Sequence, residues 1–257
     1  MEAKISREII KGYMCKLQKA TECDVSIVGA GPSGLMAGYL LARKNLKVVI
    51  FESKLAPGGG IWGGAMLFNE VVLRNNVTKY LDELKVRYSR AGGDMVRADS
   101  VELASALIYR AVNAGVCIFN GITVEDVVYR EDRVCGVVIN FTPVLLQGLH
   151  VDPMAVNSEV VLDATGHGAT LTEKVVAKTG IKLATSTGGV IGEKPLWAEV
   201  GDSLTVENTK EIYPGLFVSG MAANAVFGSA RMGPIFSGML LSGVRAAELI
   251  ILRLRRS

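Results

Sequence analysis

A glycine-rich turn between an apolar strand and a helix is the feature that most constrains how this chain can fold. Residues 24–28 form a short apolar run, residues 29–34 have the spacing G-x-G-x-x-G, and residues 35–44 continue in a helical pattern. A second apolar strand over residues 47–51 ends at Glu52, 18 residues after the last glycine of the turn. A strand, a glycine turn, a helix and a second strand ending in an acid are typical of α/β folds that bind a dinucleotide.

The residue types in this unit favour a particular ligand. Gly29, Gly31 and Gly34 allow the backbone to approach a pyrophosphate at the helix N-terminus, and the carboxylate of Glu52 can accept hydrogen bonds from ribose hydroxyls. Because no arginine directly follows Glu52 to hold a 2′-phosphate, the pattern favours NAD or FAD. The alternative is a tight strand–helix turn with no ligand.

The remaining pattern predicts an α/β fold with a central parallel sheet and an additional β insertion. Residues 1–20 form an N-terminal helical arm, residues 70–90 read as a helix, and a further helix begins at Asp99 or Ser100 and ends near Asn113. A final helix ends near residue 254. Strands are predicted over residues 116–119, 123–129, 134–140, 160–163 and 216–219.

Two long irregular segments complete this outline: a loop over residues 142–156, which we take as an active-site loop, and a glycine-rich loop over residues 220–238. We assign no element between residues 169 and 215. With no low-complexity linker and no repeat, residues 1–257 are predicted to form a single domain.

Composition excludes several classes of protein. Lys and Arg number 28 against 25 Asp and Glu, and no block of five like charges occurs, so neither a nucleic-acid-binding arm nor a membrane anchor is indicated. The N-terminus has no secretory apolar segment, and the four cysteines lack metal-binding or redox spacing. These features predict a reduced cytoplasmic protein with small buried thiols. Hydrolase and kinase motifs are also missing.

A second glycine cluster, residues 57–64 with the sequence PGGGIWGG, is too dense in glycine for a regular helix or strand. Its unobstructed N–H groups suit phosphates or a sugar edge. The alternative is a flexible surface loop, which Trp62 argues against, because flexible linkers seldom contain tryptophan.

Three polar side chains suggest a metal site. His150, Asp152 and His167 lie within 18 residues, on loops next to the predicted nucleotide site, and they are candidates for a divalent transition-metal site with open positions. The alternative is that both histidines are ordinary hydrogen-bonded residues. Arg231, flanked by glycines, suits bidentate capture of a small carboxylate, or else forms a surface salt bridge.

Taken together, these motifs resemble the thiazole synthase family of thiamin biosynthesis over about residues 20–252. The matching segments are residues 28–34, 52–53, 56–64, 150–153, 165–167 and 231–234. The resemblance implies a glutathione-reductase-like fold in which NAD is a consumed substrate. It further implies that NAD, glycine and a sulfur source are converted to ADP-5-ethyl-4-methylthiazole-2-carboxylate, with nicotinamide lost and glycine added as an imine.

The same resemblance assigns roles to individual residues. Fe(II) would be bound by Asp152 and His167, with the loop of His150, Val151 and Asp152 reaching into a neighbouring protomer's site. Arg231 would bind the carboxylate of glycine. The family tends to form octamers, so a homo-oligomer is expected. NAD would be contacted by Gly29, Gly31, Ser33, Gly34, Glu52, Ser53, Gly60, Val124, His150, Val151, Asp152 and Met221.

This sequence departs from the family pattern at two positions. Fungal and plant members have, at the position of His150, a cysteine that gives up its own sulfur and ends catalysis after one turnover. The histidine here implies free sulfide as the sulfur source and repeated turnover, as in archaeal-type members, with His150 also suited to moving protons. Gly168 replaces an acid that follows the histidine in many relatives, which removes one source of support for His167.

Other functions remain open at this point. A flavin- or NAD-dependent oxidoreductase of the same fold is the main alternative, although the chain leaves little room for a substrate domain. A non-catalytic NAD- or metal-binding protein is a second alternative. A ribulose-1,5-bisphosphate synthetase ranks lower, because the residues for glycine and sulfur would then have no purpose.

Overall fold

The computed structural model describes residues 1–255, so the last two residues of the predicted domain lie outside it. The longest helices are at the two ends of the chain. The helices are α1 Glu2–Ala20, α2 Pro32–Ala42, α3 Thr78–Leu84, α4 Ser100–Asn113, α5 Thr142–Leu146, α6 Thr170–Thr179, α7 Ala198–Glu207, α8 Met221–Phe227 and α9 Ser237–Leu254. Two short 3₁₀ helices cover Gly59–Gly63 and Asn75–Val77.

The strands form one large sheet and two small ones. They are β1 Glu22–Val28, β2 Val48–Glu52, β3 Glu70–Arg74, β4 Ser89–Arg90, β5 Met95–Asp99, β6 Cys117–Asn120, β7 Ile122–Arg130, β8 Arg133–Phe141, β9 Met154–Asp163, β10 Lys194–Leu196, β11 Lys210–Tyr213, β12 Leu216–Val218 and β13 Ala230–Arg231. The large sheet has the order β11-β12-β9-β1-β2-β6, and the β7–β8 hairpin joins it through β8 and β9.

The centre of the large sheet is parallel. Strand β1 pairs with β2 on one side and β9 on the other, and β12 and β6 continue the parallel arrangement outward. The residues of β2 are buried along its whole length, as expected for a parallel strand covered on both faces. Helices α2, α4 and α9 contribute to the core cluster on one face, with Leu35 and Leu107 fully buried. The predicted glutathione-reductase-like α/β class is confirmed.

The β insertion has two parts: the β7–β8 hairpin and a separate antiparallel sheet of order β3-β5-β4. The predicted helix over residues 70–90 is wrong, because its first part is strand β3 and only Thr78–Leu84 is α-helical. Val71 and Leu73 are fully buried two residues apart, which is the period of a strand, and β3 pairs with β5.

Both predicted loops contain regular structure. Thr142–Leu146 is a short helix with a proline in its first turn, where the missing N–H costs nothing, and β9 begins at Met154. Only residues 147–153 of the predicted active-site loop are therefore irregular. Gly220 and Gly228, both with positive φ, flank helix α8 within the predicted loop over residues 220–238. The unassigned stretch contains α6, α7, β10 and β11.

Other sequence predictions have mixed outcomes. The N-terminal helical arm and the helix capped by Asp99 are confirmed, and the Asp99 carboxylate accepts a hydrogen bond from the Glu102 N–H at 2.7 Å. All four cysteines are free thiols, but Cys15 is exposed and the other three are only partly buried, so the prediction of buried thiols is wrong. Among residues 1–255, no helix combines the length and apolar character needed to cross a membrane.

Candidate functional site

A cavity of about 910 Å³ opens where β1, β2 and β9 end, at the carboxyl edge of the parallel sheet. Ligands of open α/β sheets bind at this edge, outside the carboxyl ends of the strands. Ten of the residues that the sequence proposed for the site line this cavity: Gly29, Gly31, Ser33, Glu52, Ser53, Gly60, Val124, His167, Met221 and Arg231.

The three glycines of the first turn have different structural roles. Gly29 has φ +102°, and a Cβ there would lie 2.5 Å from the carbonyl oxygen of Ala164. A Cβ on Gly34 would lie 2.3 Å from the Gly29 carbonyl oxygen, so helix and turn can pack closely only around glycine. Gly34 does not line the cavity. Gly31 caps helix α2, and a Cβ there would meet nothing within 4 Å.

The open space at Gly31 lies at the start of α2, whose first N–H groups have no acceptor within the helix. These groups and the helix dipole favour an anion at this position. The geometry therefore fits the division of labour expected for a dinucleotide turn, with one glycine for the bend, one for approach of a phosphate and one for packing.

Glu52 at the end of β2 is buried and held by the backbone of two neighbouring segments. Its Oε2 accepts a hydrogen bond from the Ala30 N–H at 2.9 Å, and its Oε1 accepts one from the Lys54 N–H at 2.8 Å. Oε1 also accepts a longer hydrogen bond from the Ser53 hydroxyl at 3.4 Å, and Oε2 can accept a further one. The carboxylate is thus fixed in orientation beside the first turn while it keeps acceptor capacity toward the cavity.

The second glycine cluster is folded against the first. Gly58 donates its N–H to the Ala30 carbonyl at 2.7 Å, and a Cβ on Gly59 would lie 3.1 Å from the Cα of Gly31. The Trp62 indole N–H donates to the Pro57 carbonyl at 2.6 Å. The cluster is therefore an ordered wall containing a short 3₁₀ helix, contrary to both the flexible-loop alternative and the prediction that it forms no regular element.

His167 lies on the loop between β9 and α6, and Asp163 at the end of β9 organises that loop. The buried Asp163 carboxylate accepts hydrogen bonds from the N–H and hydroxyl of Thr165, at 3.0 and 2.7 Å, and from the same groups of Thr172, at 2.9 and 2.7 Å. The His167 Nδ1 is 2.8 Å from Oε2 of Glu193. An ionised carboxylate only accepts, so Nδ1 is the donor of this hydrogen bond, and in the neutral imidazole Nε2 then keeps a lone pair.

Arg231 occupies a short strand at another wall of the cavity. Strand β13, which contains it, pairs with β10, and Arg231 is exposed toward solvent. No side chain or backbone group in the described chain pairs with its guanidinium, so the salt-bridge alternative is wrong for residues 1–255. An unpaired guanidinium beside a cavity is suited to a small carboxylate.

The loop of His150, Val151 and Asp152 does not line the cavity of its own chain. It is exposed, and within the region that the structure describes no group of three or more His, Cys, Asp or Glu side chains could hold a metal ion. His167 is therefore the one predicted metal ligand found in the cavity wall. The predicted role of Asp152 requires that it act in another protomer's cavity.

Sequence reasoning missed Glu193 and Asp163. Asp163 had a weak signal, since it ends a buried strand next to the predicted site. Glu193 lies in a stretch where no element was assigned, and its contact with His167 spans 26 residues, so no local pattern pointed to it.

The fold and the cavity define a dinucleotide-binding type of α/β protein with a histidine and an arginine at the ligand edge. The model of the Thi4 family matches residues 6–236, and the chain belongs to this family. The thiamine thiazole synthase of Thermococcus kodakarensis is 51% identical over 253 residues, 98% of each chain. That of Methanothermobacter thermautotrophicus is 49% identical over 254 residues, 99% of this chain and 98% of its own. The crystal structure of Thermovibrio ammonificans THI4 superposes with a TM-score of 0.97 at 51% identity, covering 99% of both chains.

The Fe(II) that the family resemblance implies can be tested against the residues present. The free Nε2 of His167 is a suitable nitrogen donor for iron. Oε1 of the adjoining Glu193 is buried and accepts no hydrogen bond from residues 1–255, and a cation nearby would offset the cost of burying this carboxylate oxygen. The residues therefore fit a cation at His167, with further ligands needed from outside this chain.

Proposed function

We propose that this chain is a thiamin thiazole synthase that makes ADP-5-ethyl-4-methylthiazole-2-carboxylate from NAD, glycine and sulfide with Fe(II). Membership of the Thi4 family, and close relatives named thiamine thiazole synthase over their whole length, support an enzyme of thiazole biosynthesis. The observation that carries the finer proposal is that one cavity is lined by the dinucleotide turn, by His167 and by Arg231, whose guanidinium has no partner among residues 1–255.

NAD enters this scheme as a substrate. The first glycine turn and helix α2 would bind its pyrophosphate, Glu52 and Ser53 its adenosine ribose, and Val124 and Met221 would contact the adenine half. Val124 and Met221 are only 7% and 5% exposed, which suits apolar contact with a base. Binding in this way would leave the nicotinamide ribose directed along the cavity, toward His167 and Arg231.

Glycine would be bound by Arg231 through its carboxylate, which leaves its amino group free to condense with the opened ribose. The subsequent proton shifts next to a carbonyl or imine need a positioned acid or base, and we assign this role to His150 of a neighbouring protomer. His167 and Asp152 would hold Fe(II). When bound, Fe(II) supplies Lewis acidity and open positions for sulfide.

The sulfur is proposed to come from free sulfide. None of the four cysteines of this chain lines the cavity, and position 150 is a histidine. Cys135 donates its thiol hydrogen to the Val128 carbonyl at 3.4 Å within the β7–β8 hairpin, and it lines a different cavity with Cys23. An external donor leaves the protein intact, which allows many turnovers.

We propose that the active form is a homo-oligomer, because the His150–Asp152 loop lies outside the cavity of its own chain. The exposed apolar side chains on and beside that loop support burial against another protomer: Leu145, Leu146, Leu149 and Val151. An octamer remains an expectation from the family, as does a cytoplasmic location.

The test is anaerobic incubation of the protein with NAD, glycine, Fe(II) and sulfide, followed by mass spectrometry for the adenylated thiazole carboxylate. We expect several product molecules per protomer and none without sulfide. Release of nicotinamide without formation of the thiazole would contradict the metal or sulfur assignment but would leave the NAD assignment intact. Intact NAD under all conditions would overturn the proposal, and bound flavin in the purified protein would then favour an oxidoreductase.

A further inference from the structure

We propose that Glu193 is the positioning residue for His167. Its carboxylate holds the imidazole in the tautomer and orientation that present Nε2 to Fe(II). This inference rests on the proposed function, because it concerns the metal that His167 would bind.

The contact itself is short and well placed. Oε2 of Glu193 is 2.8 Å from Nδ1 of His167, and the Glu193 side chain is 14% exposed while that of His167 is 55% exposed. The carboxylate is therefore the more buried partner of the contact, while much of the imidazole stays exposed at the cavity wall. Ligand histidines in metal sites commonly donate their second N–H to a carboxylate in this way.

The other oxygen of Glu193 provides an independent indication. Oε1 is buried and accepts no hydrogen bond from the described residues. A buried carboxylate with one satisfied oxygen is destabilising by itself. A cation bound at Nε2 would offset that cost electrostatically. Metal binding would therefore stabilise the buried carboxylate.

The backbone around Glu193 is held firmly on both sides. Gly192 donates its N–H to the Ala225 carbonyl at 2.9 Å, and Lys194 donates to the Ser229 carbonyl at 3.0 Å. Strand β10, which starts at Lys194, then pairs with the strand that contains Arg231. One segment thus fixes the acid behind His167 and supports the predicted glycine-binding arginine.

The residue that follows His167 is Gly168, which has no side chain that could contact the imidazole. A Cβ on Gly168 would lie 3.0 Å from Cγ2 of Thr170, so a side chain there would force Thr170 to move. Glu193 reaches the same ring from 26 residues further along the chain. The contact with the ring is therefore made through the tertiary structure and not by a sequence neighbour of His167.

The test compares the full-length protein with Glu193→Ala, Glu193→Gln and the control Glu207→Ala, an exposed acid at the end of α7. Solid-state ¹⁵N spectra of histidine-labelled, metal-free protein report the tautomer of each imidazole. The chain has two histidines, and a His150→Asn sample assigns them. Anaerobic Fe(II) titration against a chromophoric chelator gives the dissociation constant.

We expect Glu193→Ala to lose the Nδ1–H tautomer of His167 and to bind Fe(II) roughly 10- to 100-fold more weakly. Glu193→Gln keeps an acceptor, so its loss should be smaller, and Glu207→Ala should match the wild type. If the wild-type protein binds Fe(II) and Glu193→Ala shows the same tautomer and the same Fe(II) affinity, the role of Glu193 is overturned while the metal assignment stands. Failure of the wild-type protein to bind Fe(II), or equal binding by His167→Ala, would overturn the metal assignment and this inference with it.

Discussion

The Asp163 carboxylate accepts hydrogen bonds from both the backbone N–H and the hydroxyl of Thr172, at 2.9 and 2.7 Å, in a fully buried site. Asp163 ends the central strand β9, and Thr172 lies in the first turn of α6. The two residues join sheet and helix across the loop that contains His167. The position of the candidate metal ligand therefore depends on a contact between two residues that do not line the cavity.

Asp163→Asn tests this relationship. In the variant, the NH2 group of the amide faces N–H and hydroxyl donors that now donate to the carboxylate. We therefore expect the free energy of unfolding to fall by about 2 kcal/mol. Fe(II) affinity should fall as well, because the loop that contains His167 loses this support. Thr172→Val removes one hydroxyl and should cost about 1 kcal/mol. Chemical denaturation measures both. Thr170→Val, at a neighbouring exposed position, is the control, and an unchanged stability in Asp163→Asn would contradict the assignment.

Two alanine substitutions separate the packing glycine from the ligand-facing glycine. Gly34→Ala would place a Cβ 2.3 Å from a backbone oxygen and should destabilise the protein by about 3 kcal/mol. Gly31→Ala meets no protein atom within 4 Å, so stability should change by less than about 1 kcal/mol. Its methyl group would occupy the approach to the pyrophosphate and weaken NAD binding by tenfold or more, about 1.4 kcal/mol. Thermal unfolding and NAD titration distinguish these outcomes.

Arg231→Gln should affect glycine specifically. Loss of a charge-assisted hydrogen bond to the carboxylate costs about 1.5–3 kcal/mol, so the KM for glycine should rise roughly 10- to 100-fold. The KM for NAD should change far less. Steady-state kinetics with each substrate varied in turn gives both constants, with Arg90→Gln, an exposed arginine on β4, as the control. A matched rise in both KM values would argue for a general structural role.

A cysteine-free variant tests the source of sulfur. Replacing Cys15, Cys23, Cys117 and Cys135 by alanine should preserve sulfide-dependent product formation within about threefold, because none lines the cavity. Burial raises the pKa of the Cys23 and Cys117 thiols, so their thiolate fractions at neutral pH are small and both should react slowly with an alkylating agent. If removal of one particular cysteine abolishes product formation, that cysteine is identified as a sulfur donor.

The ion pair of Glu102 with Arg87 should make stability depend on pH. Hydrogen bonds from the Arg87 side chain and backbone hold the pKa of Glu102 below its ordinary value of 4.5. The resulting stabilisation is present above that value and is lost as the pH falls through the lowered pKa. Arg87 is 91% exposed, so solvent screening keeps the effect small.

Denaturation of wild type and Glu102→Gln at pH 7 and pH 3 measures this effect. We expect a difference in the free energy of unfolding at pH 7 that shrinks toward zero at pH 3. Glu8→Gln, on the exposed surface of α1, controls for the general effect of removing a negative charge. A difference that stays constant with pH would contradict the ion-pair explanation.

Local patterns in the sequence were sufficient for the first β-α-β unit, the helix capped by Asp99 and the cavity-lining residues Gly29, Gly31, Ser33 and Glu52. Each of these depends on nearest neighbours in the chain: a glycine turn, a cap or a run of apolar residues. Residues 70–74 misled the prediction because their alternating burial depends on pairing with β5, which a local pattern does not contain.

By itself, then, the sequence determined the fold class, the dinucleotide turn and the family. Only the tertiary structure decided that Glu193 contacts His167, that Arg231 is left without a partner in the described chain, and that the His150–Asp152 loop lies outside its own cavity. The physical reason is the distance along the chain over which the determining contacts act. Turns and caps are determined by residues a few positions apart, whereas hydrogen bonds and burial across 26 or more residues depend on how the finished sheet and helices pack.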